Sequence, residues 1–203
     1  MTDTTLQTLL VDELRDIYHA ERQLVRALPK LAKAASSPEL REALESHLTE
    51  TEGHVTRLEQ AFDILDEAAK TKTCAGMLGI VEEGSDLIKE KARGSALDAG
   101  IIAGAQRAEH YEIAAYGSVM AWARALGHGN VVELLSSTLE EEKAADARLS
   151  ELAESGINEA AASAPNGQSR EGRTGSRSSG RMSVGGNGRE RATAKGRPVA
   201  ARK

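Results

Sequence analysis

The sequence predicts an all-α protein: a four-helix bundle with one long crossover containing a short helix, followed by a disordered basic tail. Three observations carry this. Ala, Leu and Glu dominate to about residue 160, and β-branched runs are missing, which favours helix because such side chains lose little freedom in it. Apolar residues recur at three- and four-residue spacing through four long segments. Two long helices joined by a short turn, a long connection, and the same pair again is the order of a bundle with one crossover.

The first helix is expected from about Thr4 to Ala34. Leu6, Leu10, Leu14, Ile17, Leu24, Leu28 and Leu31 form its stripe, and Pro29 should bend it or loosen its last turn. "SSPE" (Ser36 to Glu39) reads as the next start, a capping-box pair with Pro at the first helical position. The second helix is expected to reach about Ala69, with Leu40, Leu44, Leu48, Val55, Leu58, Phe62 and Leu65 along one side. Residues 70 to 94 are less regular, and "CAGMLGIVEEGSDLIKE" fits a short crossover helix. Ser95 should cap a third helix reaching Leu126, with Gly127 as its stop; a fourth runs from near Asn130 to Gly156. A sparse match between the halves at an offset of 91 residues suggests duplication, pairing His19 with His110, Glu21 with Glu112 and Glu50 with Glu141.

Domain organisation follows from composition. Residues 1–160 form the bundle, and residues 161–203 are rich in Gly, Ser and Arg with little to bury, the signature of disorder. The tail from Ser163 onward carries ten Lys/Arg against two Glu, a net +8, which leaves −13 on the first 162 residues. A single cysteine, Cys74, excludes an intramolecular disulfide or a cysteine metal knuckle within one chain. No secretory signal and no membrane-length apolar run is visible, so a cytoplasmic protein with no membrane partner is the expectation.

The informative residues are carboxylates on apolar stripes. An α-helix advances about 100° per residue. On the third helix Ala105, Ala108, Tyr116, Val119, Ala123 and Leu126 fall within about 40° of Glu112, and Glu109 lies about 60° away on the same side. On the fourth, Glu142 has Val131, Leu135, Thr138 and Leu149 as neighbours, with Asp146 one turn on. Glu21 sits among Leu10, Leu14, Ile17 and Leu28. In the second helix the stripe passes through His47, Thr51, His54 and Leu58, with Glu50 on its flank. All lie about midway along their helices, so carboxylates from four helices should meet in the core. Each buried ion would cost several kcal/mol without compensation. A pair of multivalent cations resolves this, and oxygen-rich ligands with imidazole suit Fe or Mn. The candidate metal ligands on these faces are Glu21, Glu50, Glu109, Glu112, Glu142 and Asp146, with His47 or His54 from the second helix, holding two Fe or Mn ions. The paired Glu-x-x-His pattern of di-iron bundles is absent. In helix two the histidine stands three residues before Glu50 (His47) or four after it (His54), and the fourth helix has no histidine.

"DELRDIYHAERQL", "HLTETEG", "AEHYEIAAYG" and "LEEEKAADARL" together resemble the YciE/YciF family of ferritin-like proteins, over about residues 5 to 157. The resemblance implies a rubrerythrin-related four-helix fold, often dimeric, a dinuclear metal centre and a link to stress responses. By similarity to rubrerythrin, Glu109 and Glu112 match its Glu-x-x-Glu, Glu142 and Asp146 match its Glu-x-x-x-His with Asp in place of His, and Glu21 matches the helix-one Glu. Glu50 and His47 would fill helix two in reversed order.

Function is then expected to be the handling of iron, O2 or peroxide by a dinuclear centre, with a homodimer as the assembly. The alternative is a non-catalytic acidic helical dimer whose basic tail, residues 163–203, makes non-specific nucleic-acid contacts.

Overall fold

The computed structural model describes residues 4–90 and 93–164. Helix α1 spans Leu6–Ala34, α2 Pro38–Ile64, α3 Ala75–Lys89, α4 Ser95–Ala125 and α5 Gly129–Leu152; a π-helical turn, Ala153–Ile157, leads into the short α6, Asn158–Ser163. The expectation of a disordered tail covers residues 161–203; residues 161–163 belong to α6, and residues 165–203 lie outside the described residues. No helix among the described residues is long and apolar enough to cross a membrane.

Helices α1, α2, α4 and α5 make the bundle. α1 packs on α2 and α4, and α5 packs on α2 and α4, so α1 faces α5 across the core and α2 faces α4. Short turns make α1/α2 and α4/α5 antiparallel hairpins. The crossover between them holds α3, which lies against α1 and α4.

Local chemistry sets the boundaries. Thr5 and Thr8 cap α1 reciprocally. α1 runs through Pro29 to Ala34. Its last carbonyls are served by Arg41, which donates to Ala35 O at 2.8 Å and Ala32 O at 3.3 Å. The cap of α2 is Ser37, whose Oγ accepts from Leu40 N at 3.2 Å while Pro38 takes the first turn; the Ser36–Glu39 box is thus replaced by a cap one residue later. The buried Asp98 of α4 accepts from Ser36 N at 2.7 Å and Ser37 N at 2.9 Å, tying the first hairpin to the second. α2 ends at Ile64 instead of near Ala69, with Asp66 at φ +54° turning the chain. Beyond α5, Gly156 (φ +145°) kinks the chain, and α6 continues past it where a stop was expected.

The apolar core is in two parts. One cluster holds Leu24, Leu28, Leu40, Leu44, Ile101 and Leu149. The other holds Leu14, Ile17, Leu58, Phe62, Val119 and Leu135. Read along each helix, the gap between them is a polar layer: Glu21 on α1, His47, Thr51 and His54 on α2, Glu109 and Glu112 on α4, Thr138 and Glu142 on α5, all buried.

Candidate metal centre

Glu21 lies between Ile17 and Leu24, one turn from each, so the stripe that buries them buries its carboxylate too. His47, Thr51 and His54 are successive turns of one face of α2, and Thr51 turns its hydroxyl onto His47 O at 2.8 Å instead of into the layer. Glu109 and Glu112 are one turn apart on α4, and Glu142 is at mid-length on α5.

Their side chains converge. His47 Nε2 lies 3.3 Å from Glu109 Oε1 and 3.8 Å from Glu142 Oε2. His54 Nδ1 lies 2.9 Å from Glu142 Oε1 and 3.4 Å from Glu21 Oε1. Two groups of donor atoms result, each with all members within 4.8 Å of one another: His47, Glu109, Glu112 and Glu142, and Glu21, His54 and Glu142. Glu142 belongs to both. These buried groups could hold a metal ion.

Satisfaction of polar atoms separates this layer from the rest of the described core. Ten buried side-chain nitrogens and oxygens there lack a hydrogen-bond partner, and nine belong to Glu21, His47, His54, Glu109, Glu112, Glu142 and Asp146. They include both oxygens of Glu112 and of Glu142. His54 Nδ1 is among them despite its closeness to Glu142, because the ring and carboxylate are not aligned as a hydrogen bond. Buried polar atoms are normally paired, and a cluster of unpaired ones aimed at common points is the disposition of ligands.

The surrounding groups fix the ligand atoms. Glu141 Oε2 lies 2.9 Å from His54 Nε2, and Arg57 grips Glu141 with two donors, Nη1 at 2.5 Å and Nη2 at 2.9 Å. Arg57 also donates to Thr138 Oγ1 at 3.1 Å. A carboxylate on one ring nitrogen sets the tautomer and leaves the other free, so Glu141 directs Nδ1 of His54 inward. Glu50 does the same for His47, with Oε2 at 3.4 Å from Nδ1 and Nε2 left for the centre. Tyr116 donates its hydroxyl to Glu21 Oε1 at 2.5 Å.

Electrostatics match. Burial pushes the carboxyl groups of Glu21, Glu109 and Glu112 above the ordinary range, and Glu142 pushes each further. Burial acts on Glu142 too, but His54, Glu109 and His47 outweigh it and hold that carboxyl below its usual value. Burial would lower His54; the adjacent carboxylates of Glu142 and Glu21 reverse this and raise it to about 10. Without a cation the layer is therefore a proton-holding cluster around an ionised Glu142.

Of the expected ligands, the structure brings Glu21, His47, Glu109, Glu112 and Glu142 together and leaves two at the edge. The Glu50 side chain is 42% exposed and touches the centre only through His47. Asp146 is 23% exposed and accepts from or pairs with His110 Nε2 at 3.2 Å, although its Oδ1 is buried and unpaired. The addition is His54, fully buried two turns from His47. Its signal in the sequence is its place on the apolar stripe of the second helix, which it shares with His47.

Four antiparallel helices closed round a buried layer of carboxylates and imidazoles define a ferritin-like bundle whose core could carry metal. The chain belongs to the family described as Domain of unknown function (DUF892), whose model matches residues 5–162. It is 41% identical over 154 residues to Protein YciF of Escherichia coli (strain K12), a match taking in 75% of this chain and 93% of that protein. The crystal structure of the E. coli stress protein YciF superposes with a TM-score of 0.74 at 40% identity, covering 77% of this chain and 99% of that one. YcfI from Rhodopseudomonas palustris superposes with a TM-score of 0.71 at 43% identity, covering 72% and 94%. A protein from Xanthomonas campestris, 23% identical with a TM-score of 0.61 over 77% of this chain and 95% of that one, shares the fold.

Proposed function

We propose that this chain is a stress-response protein whose core holds two Fe or Mn ions and uses them on iron, O2 or peroxide. The observation that carries this is the set of unpaired buried donor atoms, which fall into two ligand groups joined by Glu142. Glu142 belongs to both groups. His47, Glu109 and Glu112 would hold one ion with it, and Glu21 and His54 the other. Four carboxylates with two imidazoles suit Fe or Mn better than the thiolate-seeking metals.

Bound there, such ions supply one-electron redox chemistry that side chains cannot. The protein's own residues do the rest. Tyr116 holds Glu21 by hydrogen bond, while Arg57 and Glu141 hold His54 to one tautomer. Glu112 makes no hydrogen bond through either oxygen, so both would be available to an ion. The two apolar clusters close the layer toward both ends of the bundle. The stress role is carried over from the relative described as a stress protein, which this chain resembles in sequence and fold.

The test is elemental analysis of protein purified without chelators after growth in replete Fe and Mn. Two ions per chain are expected, and fewer than one would contradict the proposal.

A further inference from the structure

Among the described residues, two openings reach the layer, and they differ in charge. A further opening between α1 and α2, lined by Arg22 and Arg26 with Glu52, touches no residue of the layer. Between α1, α3 and α4 a crevice reaches Glu109, but it is lined by Leu24, Leu28, Ile80, Ile101 and similar residues and offers only about 40 Å³. A hydrated dication would have to shed its water against hydrocarbon to pass there. Between α2 and α5 a cleft of about 370 Å³ is lined by Glu39, Glu42, Glu50, His47, Glu109 and Arg148.

That cleft is graded. Glu39 and Glu42 are exposed at its mouth. Glu50 is half-buried and touches His47 Nδ1 at 3.4 Å. His47 and Glu109 close the inner end, with side chains 7% and 2% exposed. Each still has an unpaired buried atom, His47 Nε2 and Glu109 Oε2. Small residues, Ala43, Ala144 and Ala145, leave the passage open between them. A concave surface of one sign with low-dielectric walls concentrates counter-ions. The one cationic lining residue, Arg148, is half-exposed and is held by Glu151 at 2.5 Å.

We propose that the α2/α5 cleft is the route by which divalent cations reach the centre, gathered by Glu39 and Glu42 and passed by Glu50 to His47. The inference rests on the metal-centre reading above and adds the path. Neither Glu42 nor Arg148 touches the centre, so changing them alters the rate of loading and not the capacity.

The experiment mixes full-length, metal-free protein with Co²⁺ in a stopped-flow instrument and follows the visible absorbance of the ligated ion. Glu42→Lys is expected to slow loading and Arg148→Glu to speed it, each by about three- to tenfold at low salt. Both effects should shrink in high salt, because exposed charges are screened, and the final absorbance should stay unchanged. Glu133→Lys, on α5 away from the cleft, makes the same change in net charge and should leave the rate alone. Equal rates in all variants at full amplitude, or equal slowing by Glu133→Lys, would overturn the route while leaving the centre standing. No Co²⁺ absorbance in the unmodified protein would remove the centre, and the route with it.

Discussion

His54 has a carboxylate hydrogen-bonded at Nε2, that of Glu141, while Glu142 and Glu21 lie close to Nδ1 without bonding it. Its orientation is therefore set by Glu141 and Arg57. Glu141→Gln removes the charge that favours this tautomer and should weaken metal binding about 10- to 100-fold, measured by competition with a chelator, with little change in the fold. Titration of the metal-free protein gives a second test. Glu21, Glu109 and Glu112 have raised values, so the folded state keeps protons that the unfolded chain has lost above its carboxylate range. Their contribution to stability is present at low pH and disappears as pH rises through the folded-state values. His54 acts in the same sense: its contribution is complete below the unfolded histidine value and lost as pH climbs through about 10. Glu142, lowered, acts oppositely and loses its contribution as pH falls through its folded value. Three raised carboxylates and one raised histidine outweigh it, so the metal-free Tm should fall between about pH 5 and 8. Metal binding must displace those protons, so the rise in Tm on adding Mn²⁺ should be larger at the higher pH. A metal-free Tm that climbs over this range would contradict the assignment. At this scale the sequence revealed which carboxylates face inward, because Glu21, Glu112 and Glu142 lie mid-stripe. It did not separate Glu50 from His54: flank and stripe differ by a fraction of a turn, and only packing on α5 shows that Glu50 ends 42% exposed while His54 is buried.

Among the elements, the two hairpins are joined by Asp98. Its carboxylate takes two backbone N–H groups from the α1/α2 turn and is buried in doing so. Asp98→Ala leaves both donors without that partner and should destabilise the fold by about 2–4 kcal/mol, read from denaturant unfolding of the metal-free protein. Metal stoichiometry at saturation should not change, since Asp98 lies outside the layer. The long helices were legible from their stripes because each buries one face along its whole length. The ends were less so. Ser37 displaces Ser36 as cap because Asp98, distant in sequence, claims both amides. The end of α2 at Ile64 has no glycine to announce it; Asp66 takes the positive φ instead. The turn after α5 kinks at the expected Gly156 yet leads into another helix, a continuation that local sequence does not distinguish from a stop.

For the whole molecule, the same polar layer that interrupts the core should govern stability. A metal bound only by the folded state at 100 times its Kd adds about 2.7 kcal/mol, or about 5–10 °C in Tm for a bundle of this size. Chelator treatment should remove that increment and excess Mn²⁺ or Fe²⁺ restore it; chelator-insensitive melting would favour a purely structural bundle. The opposed charges of the two parts of the sequence, −13 on the first 162 residues and +8 from Ser163 onward, lead us to propose non-specific nucleic-acid contact by the tail. Gel shifts at two salt levels should show binding by the full chain that weakens steeply with salt, and none by a chain ending at Ala162; equal binding by both would remove the tail from the account. We also propose a homodimer, which light scattering of the purified chain tests directly.

The most direct measurement is anomalous scattering from crystals of protein grown with Fe and Mn and never exposed to chelator. Two peaks about 3.5–4 Å apart, flanking Glu142 and within bonding distance of Glu21, His54, His47, Glu109 and Glu112, are the predicted result. A layer without anomalous signal, its carboxylates satisfied by protons and by one another, would contradict the account.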